Sequence, residues 1–224
     1  YRPADLDKIP AEFRGPDDLW VGTNVHVMVM MVNERQLKGL PAPATWSDLM
    51  QPQWKNKFAI TDPSKSGTAY MLVYGLYKQF GQAGLDKIAA NAVVTASSGT
   101  TYKGVAAGEY AVGMTLEYAA QEYVAGGQKE IKLVYPSEGS YLAPEGMFII
   151  KGAKNLDAAK ALYDGLLSKA SQEAQLVKNF RRPTRTDVAV ASLTTLPDLS
   201  TVKIFPVSQE AAATEYEALS LIHI

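Results

Sequence analysis

Three times between residues 57 and 124 the sequence has a short apolar run followed by a helical pattern, and in the first two cases a turn separates them. The apolar runs are predicted to be strands, at 57–61, 91–95 and 110–116. The helices are predicted at 69–80, 102–107 and 117–124. Strands that alternate with helices are typical of a mainly parallel sheet covered by helices. The sequence therefore predicts an α/β fold.

The flanking segments extend this pattern. The apolar run Val21–Asn33 is rich in valine and methionine and suits a buried strand. Thr45–Asp48 fits a capping box that opens a short helix. Further strands are predicted at 131–135 and 146–151, and further helices at 156–168 and 171–179. We expect Gly81 and Gly84 to end the helix that begins at residue 69.

Composition narrows the classes of function. The 22 basic residues nearly balance the 23 acidic ones, and a net charge of -1 argues against binding to nucleic acid. The absence of cysteine excludes disulfides, thiolate nucleophiles and zinc–cysteine sites. The most apolar run, Val25–Val32, is far shorter than the roughly 20 residues of a membrane helix. We expect no bound metal and no cofactor.

Two turns that follow predicted strands share a composition. Ser64–Thr68 and Ser97–Thr101 each place hydroxyls and a glycine before a helix. The start of a helix favours an anion, and ligands of open α/β sheets lie beyond the carboxyl ends of the strands. The candidate ligand-binding residues here are Ser66, Gly67, Thr68, Ser98, Gly99, Thr100 and Thr101. The alternative for either turn is that its hydroxyls only cap the helix.

Other polar residues are weaker candidates. Glu117 and Tyr118 follow the third strand at the same edge, where a carboxylate could accept from sugar hydroxyls and a tyrosine could stack or donate. The alternative is a surface glutamate and a core tyrosine. Tyr141 is a further candidate in the loop between the last two strands. His26, alone in an apolar run, is interpreted as a core residue.

The basic cluster of Arg181, Arg182 and Arg185 is interpreted as a solvated helix end, with ligand contact as the alternative. No HExxH, GxSxG, Walker A or GxGxxG pattern is present, and the SxxK match at Ser200–Lys203 lies in an irregular stretch. With two histidines in the chain, no nucleophile, base and orienting acid can be assembled. We therefore expect no catalytic residues and a protein that is not an enzyme.

A series of motifs resembles the iron(III)-type family of bacterial extracellular solute-binding proteins. The resemblance covers roughly residues 10 to 210. Its motifs are Thr45–Leu49, Pro52–Lys55, Thr61–Pro63, Ser66–Tyr70, Gly108–Glu109, Val112–Gly113, Ala143–Gly146, Ile149–Asn155, Ala158–Lys160 and Leu166–Ser168.

The resemblance implies a two-lobed periplasmic-binding-protein-like fold of type 2, with crossing strands between the lobes and a ligand in the cleft. The first lobe is then incomplete at the N-terminus, with residues 1–56 its remaining part and the first crossover. Residues 57–140 form lobe 2, and 141–224 form the second crossover and the C-terminal helices that return to lobe 1. We expect a secretory signal to have been removed, and we interpret the apolar tail 218–224 as a truncation or sequencing artefact.

The resemblance also implies a ligand. Iron binders of the family carry two adjacent tyrosines after the strand that here ends at Leu116, but this sequence has Tyr118 followed by Ala119, so the phenolate pair is incomplete. A closer likeness, through 91–103 and 134–146, is to the branch that takes up hexose phosphates. It implies capture of a sugar phosphate or related organophosphate, with iron(III) second and a phosphonate or other small anion third.

The expected setting follows from the same resemblance. A monomer in the periplasm delivers a small anionic solute to an ABC permease in the inner membrane. In a Gram-positive organism the protein is instead tethered outside the cell.

Overall fold

The computed structural model describes residues 1–215, so the apolar tail 218–224 lies outside the described residues. The chain divides into two compact units. The first unit comprises Tyr1–His26 and Pro144–Asp198, and the second comprises Val27–Ala143 with residues 199–215. The sequence predicted lobe boundaries at residues 57 and 141. The assignment of these segments to lobes stays a prediction. Within residues 1–215, no helix combines the length and apolar character needed to cross a membrane.

The second unit is built on five strands in the order β3-β2-β4-β1-β5. The strands are β1 (Val21–Asn33), which begins in the first unit, β2 (Phe58–Thr61), β3 (Ala92–Thr95), β4 (Val112–Leu116) and β5 (Ile131–Val134). Strand β2 is parallel to both β3 and β4, as predicted. Strand β1 is antiparallel to its neighbours β4 and β5, so the prediction of a mainly parallel sheet is wrong for β1. Strand β1 precedes the first strand–helix unit and joins the sheet without a helical crossover.

Three helices follow the parallel strands: α1 (Gly67–Asn91), α2 (Ser98–Ala107) and α3 (Glu117–Ala125). Helix α1 breaks at Gly81, where φ is 66°, a backbone angle that favours glycine. Helical turns resume beyond Gly81 and run through Gly84 to Asn91, so the prediction that these two glycines end the helix is wrong. The helices α1 and α2 also begin earlier than predicted, so Gly67, Thr68 and Ser98 to Thr101 belong to their first turns.

The sheet of the second unit is buried on both faces. Met28 and Met30 of β1 belong to a large cluster that includes Trp46 and residues of α1, whereas Met31 packs with Val105 in a second cluster. Successive side chains of a strand point to opposite faces, so a strand covered on both sides is apolar throughout. This explains the continuous apolar run that the sequence shows in β1.

The first unit is smaller and mainly helical. It holds α4 (Leu156–Leu167), α5 (Lys169–Asn179), β7 (Arg182–Pro183) and α6 (Val190–Leu193). Strand β6 (Leu142–Met147) begins in the second unit and ends in the first, and α7 (Gln209–Thr214) belongs to the second. Strand β7 pairs with the start of β1, with Pro183 opposite Asn24. The strand predicted at 146–151 is displaced: β6 begins at Leu142 because that segment pairs with β1.

The arginine cluster is not a solvated helix end. Arg182 and Arg185 are only 1% and 6% exposed. A guanidinium nitrogen of Arg185 donates to Asp5 at 2.6 Å, and two others donate to the carboxylate of Asp187 at 2.8 and 2.9 Å. These contacts raise the pKa of Arg185 further above its usual range. The interpretation from sequence failed because Asp5, a main partner, lies 180 residues away along the chain.

The predicted capping box is present at residues 45–48. The amide of Asp48 donates to Thr45 Oγ1 at 3.0 Å, and Asp48 Oδ2 accepts from the amide of Thr45 at 2.9 Å. The short helix that it opens, Ser47–Met50, is a 3₁₀ helix. The local sequence therefore predicted this helix start correctly.

Candidate functional site

Two helix starts lie beside each other at one edge of the sheet in the second unit. Strands β2 and β3 are parallel and in register, with Thr61 opposite Thr95, so their carboxyl ends coincide. Each strand leads into a helix capped by a serine. Ser66 Oγ accepts from the amide of Ala69 at 3.3 Å, and Ser97 Oγ accepts from the amide of Thr100 at 3.1 Å. The capping role holds for these two serines.

The two predicted turns are in direct contact. Ser66 Oγ lies 3.2 Å from Ser98 Oγ and 3.0 Å from Thr68 Oγ1. The first amides of an α-helix have no partner within the helix, and the positive end of its dipole lies there. Caps at Ser66 and Ser97 satisfy one amide each, which leaves the earlier amides of both helices available for an anion.

A small groove of about 10 Å³ opens at this edge. We call it the helix-start groove; it is lined by Met28, Thr61, Thr68, Ala69, Leu72, Ser98, Met114, Thr115 and Leu116. Hydroxyls from two helix starts and two strand ends share the lining with apolar side chains. An added Cβ at Gly67 would meet no described atom within 4 Å, so the start of α1 is open in front of its first residue.

Thr115 is one of two polar groove residues that sequence reasoning missed, the other being Thr61. Thr115 is 5% exposed, and its hydroxyl has no hydrogen-bond partner among the described residues. A buried hydroxyl without a partner is costly, by about 1–3 kcal/mol, and calls for an explanation such as a ligand or an ordered water. A signal was present in the sequence, because β2 and β3 both end in threonine and β4 ends in Thr115-Leu116.

Thr101 stabilises the packing of helix α2 against the strand ends. It is fully buried, and its hydroxyl lies 2.7 Å from Thr61 Oγ1 and 2.6 Å from Thr95 Oγ1. These bonds hold the first turn of α2 against the ends of β2 and β3. Thr100 is exposed, and its hydroxyl lies 2.9 Å from Ser97 Oγ. Gly99 has open space around it, with its nearest neighbours 3.7 Å from an added Cβ.

Glu117 and Tyr118 begin helix α3 directly after the groove residues Thr115 and Leu116. Glu117 is 2% exposed rather than a surface residue, and it accepts a hydrogen bond from the hydroxyl of Tyr135 at 2.5 Å. Tyr118 is partly buried and packs against the large core cluster. Both side chains therefore lie at the third helix start of the same sheet edge.

The structure does not bring Tyr141 into this group. Its ring is fully buried, stacks on Trp46 with centroids 5.6 Å apart, and donates its hydroxyl to Gln79 at 2.6 Å. Burial raises the pKa of Tyr141 well above its usual range. An added Cβ at Gly75 would lie 2.6 Å from this ring, so the helix packs directly on it. These contacts are those of a core residue.

His26 lies in a polar cluster of the first unit. It is 8% exposed, and its Nε2 lies 3.3 Å from Glu145 Oε2 and 3.2 Å from a guanidinium nitrogen of Arg181. The interpretation as a core residue is correct for burial but missed its charged neighbours. Among residues 1–215, no group of three or more histidine, cysteine, aspartate or glutamate side chains is placed to hold a metal ion.

Parallel strands, helix starts at their carboxyl ends and a groove between them are features of the α/β binding-protein class. The sequence profile described as bacterial extracellular solute-binding protein matches residues 1–206. The chain belongs to this family, and its fold is that of the periplasmic binding proteins.

Named relatives are similar over part of their length. The chain is 33% identical over 171 residues to a putative 2-aminoethylphosphonate-binding periplasmic protein of Salmonella typhimurium, covering 70% of this chain and 49% of that protein. It is 24% identical over 189 residues to an Fe(3+)-binding periplasmic protein of Serratia marcescens, covering 79% and 54%. The chain thus spans about half the length of the curated relatives it matches.

A solved structure gives a similar result. The periplasmic binding protein AfuA from Actinobacillus pleuropneumoniae, with fructose-6-phosphate bound, is 28% identical and superposes with a TM-score of 0.86. The similarity covers 99% of this chain and 73% of that protein.

Proposed function

We propose that this chain is part of a periplasmic solute-binding protein that captures a small phosphorylated solute and delivers it to an ABC permease. The observation that carries the proposal is the contact between two capped helix starts, where Ser66 Oγ and Ser98 Oγ lie 3.2 Å apart. Two sets of helix amides and several hydroxyls can then surround one anion. The chemistry required is binding and release.

Thr115 supports the same proposal independently. Its buried hydroxyl has no partner within residues 1–215 and lines the same groove as Ser98 and Thr68. A phosphate or phosphonate oxygen would accept from this hydroxyl. The residues we propose to bind the anion are Ser66, Gly67, Thr68, Ser98, Gly99, Thr100 and Thr115, with Thr101 fixing the start of α2.

Glu117 suggests which chemical groups the solute carries besides its phosphate. A carboxylate at the start of α3, next to an anion site, favours a solute that carries hydrogen-bond donors beside its phosphate. Sugar hydroxyls provide such donors, as in the fructose-6-phosphate held by AfuA. An amine would also donate to Glu117, so a 2-aminoethylphosphonate-like solute is the second candidate, favoured by the relative of that name.

Iron(III) is the third candidate. It is favoured by the Fe(3+)-binding relative of Serratia marcescens. The adjacent tyrosine pair of iron binders is absent here, because Tyr118 is followed by Ala119. Iron bound through Tyr118 would give a visible tyrosinate absorption band after loading.

The test is thermal denaturation of the protein with glucose 6-phosphate, 2-aminoethylphosphonate and inorganic phosphate. A ligand that binds only the folded state stabilises it by about 2.7 kcal/mol at 100 times its Kd. We expect glucose 6-phosphate to raise the denaturation temperature more than inorganic phosphate does. Stabilisation by 2-aminoethylphosphonate alone would favour the second candidate, and no response to any of the three would contradict an anion site.

Matched variants separate binding from helix capping. Ser98→Ala leaves the cap at Ser97 in place, so we expect affinity to fall at least about tenfold while stability changes by less than about 0.5 kcal/mol. Thr115→Val removes a hydroxyl that has no partner, so stability should stay unchanged or rise while affinity falls. Ser137→Ala, an exposed serine outside the groove, is the control. Equal losses of stability and affinity in Ser98→Ala would mean that its hydroxyl is structural, through its contact with Ser66, and would contradict a binding role.

A further inference from the structure

A second cavity lies wholly within the first unit. Its volume is about 250 Å³, and its lining includes Thr23, Asn24, Glu145, Leu166, Gln175 and Arg181. Small-molecule pockets begin at about 300 Å³, so this cavity suits a solute no larger than one sugar ring. It shares no lining residue with the helix-start groove, which belongs to the second unit.

Glu145 supplies a half-exposed carboxylate to the cavity. Its Oε2 accepts from Asn24 Nδ2 at 2.7 Å and from Arg181 at 2.9 Å, and lies 3.3 Å from His26 Nε2. These neighbours lower the pKa of Glu145 to about 2, so the group is ionised at neutral pH. The Glu145 side chain is 51% exposed and lines the cavity, so its carboxylate is open to a solute there.

Asn24 supplies a second acceptor. The residue is 8% exposed, lines the cavity, and its Oδ1 has no hydrogen-bond partner among the described residues. The amide is oriented by Nδ2, which donates to Glu145 at 2.7 Å and to Thr23 Oγ1 at 3.2 Å. A buried amide oxygen in this position requires a donor from a water or a ligand.

These groups define the chemistry of a ligand. The buried Asn24 Oδ1 requires an O–H or N–H donor, and the Glu145 carboxylate beside it can accept from another. The charge of Glu145 is offset by Arg181 beside it, which disfavours a cationic amine and an anion alike. Leu166 adds an apolar surface of the kind against which the C–H face of a sugar packs.

We propose that this cavity binds a neutral polyol, such as a monosaccharide, through hydroxyls that donate to Glu145 and Asn24. The site is separate from the proposed anion site and does not depend on it. It would give the protein a second recognition surface for hydroxyl groups.

The test is a titration of the 224-residue protein with D-glucose, followed by saturation-transfer NMR. We expect saturable binding in the millimolar range. Glu145→Gln and Asn24→Ala should each weaken it at least about tenfold, because each removes an acceptor that the hydroxyls use. Lys154→Ala, an exposed residue of the same unit, should bind like the wild type.

Leu166→Trp is a second variant, which fills the cavity without removing any polar group and should also abolish binding. Glucose binding that survives both Glu145→Gln and Leu166→Trp would overturn the proposal, as would no binding at concentrations up to about 100 mM. Binding of ethanolamine in place of glucose would equally overturn it, since the site would then recognise an amine. Inorganic phosphate is titrated in parallel. If glucose binds and phosphate does not, the result contradicts the proposed function but supports this inference.

Discussion

The two units differ in how they cover their apolar side chains. In the second unit, a sheet buried on both faces carries the large core cluster, and only Val94 and Val124 among its described large apolar residues are exposed. The first unit has small clusters instead, and it exposes Tyr1, Leu19, Phe148, Ile150, Leu156, Leu162, Val177 and Leu193. Exposed apolar surface of this kind marks an interaction surface or an unfinished core.

The units differ in their polar chemistry as well. In the second unit, helix amides and the hydroxyl of Thr115 stay available at an open sheet edge. In the first unit, the charged side chains neutralise one another, as Arg185 does with Asp5 and Asp187. The proposed anion site is therefore in the unit that has the complete core, where rigid strand ends can hold it in place.

The largest effect is expected from Trp46→Ala in the second unit. Trp46 is fully buried, stacks on Tyr141, and donates its indole N–H to the carbonyl of Gly139 at 2.8 Å. We expect the free energy of unfolding to fall by about 3–5 kcal/mol, as for other buried large-to-small changes. Urea denaturation measures it, with Trp46→Phe as the milder control. A loss below about 1 kcal/mol would show that this core is not complete.

Arg185→Met probes the first unit and should cost less. The change removes charge-assisted bonds to Asp5, Asp187 and the carbonyl of Leu167, and we expect a loss of about 2–3 kcal/mol. Arg2→Met, at an exposed ion pair with Asp18, is the matched control and should change stability by less than about 0.5 kcal/mol. Equal effects of the two changes would mean that the first unit has no ordered polar interior.

A smaller effect is expected from the ionisation of Glu145. Its pKa in the folded protein is about 2, below the ordinary 4.5, so its stabilising contribution is present above pH 4.5 and is lost as the pH falls toward 2. Since half of this side chain is exposed, the contribution is below about 1 kcal/mol. The stability difference between wild type and Glu145→Gln should therefore shrink over that range. A constant difference from pH 7 to pH 2 would contradict the ion pairing seen in the structure.

The smallest effect on stability is expected from Phe148→Ser on the exposed face of the first unit. Phe148 is 64% exposed, so the change should alter the free energy of unfolding by less than about 0.5 kcal/mol while raising solubility. Sedimentation of concentrated samples measures the second effect. A loss above about 1 kcal/mol would show that this face is already packed, and the contrast between the units would disappear.

Much of the second unit could be predicted from sequence, because its elements are defined locally. Strand β1 matches its predicted bounds, and the helix starts follow from serine caps and glycines. What failed depended on distant partners. The direction of β1 is set by pairing with β4, the position of β6 by pairing with β1, and the burial of Arg185 by Asp5.

The candidate site in the second unit was likewise predictable only in part. Turns that follow parallel strands meet by topology, so contact between Ser66 and Ser98 could be anticipated from strand order alone. The inward direction of Thr115 could not, because it depends on the register of β4 against β1, where Thr115 lies opposite Val29. The buried position of Tyr141 depends on its stacking with Trp46, which no local pattern indicates.

The most direct measurement is a titration of the ¹⁵N-labelled protein with inorganic phosphate and glucose 6-phosphate, observed through backbone amide chemical shifts. If the two helix starts hold one anion, the signals of Gly67, Thr68, Ser98 and Gly99 should move together with a single apparent Kd. Shifts that avoid these amides and follow surface lysines, or no shifts at all, would contradict it.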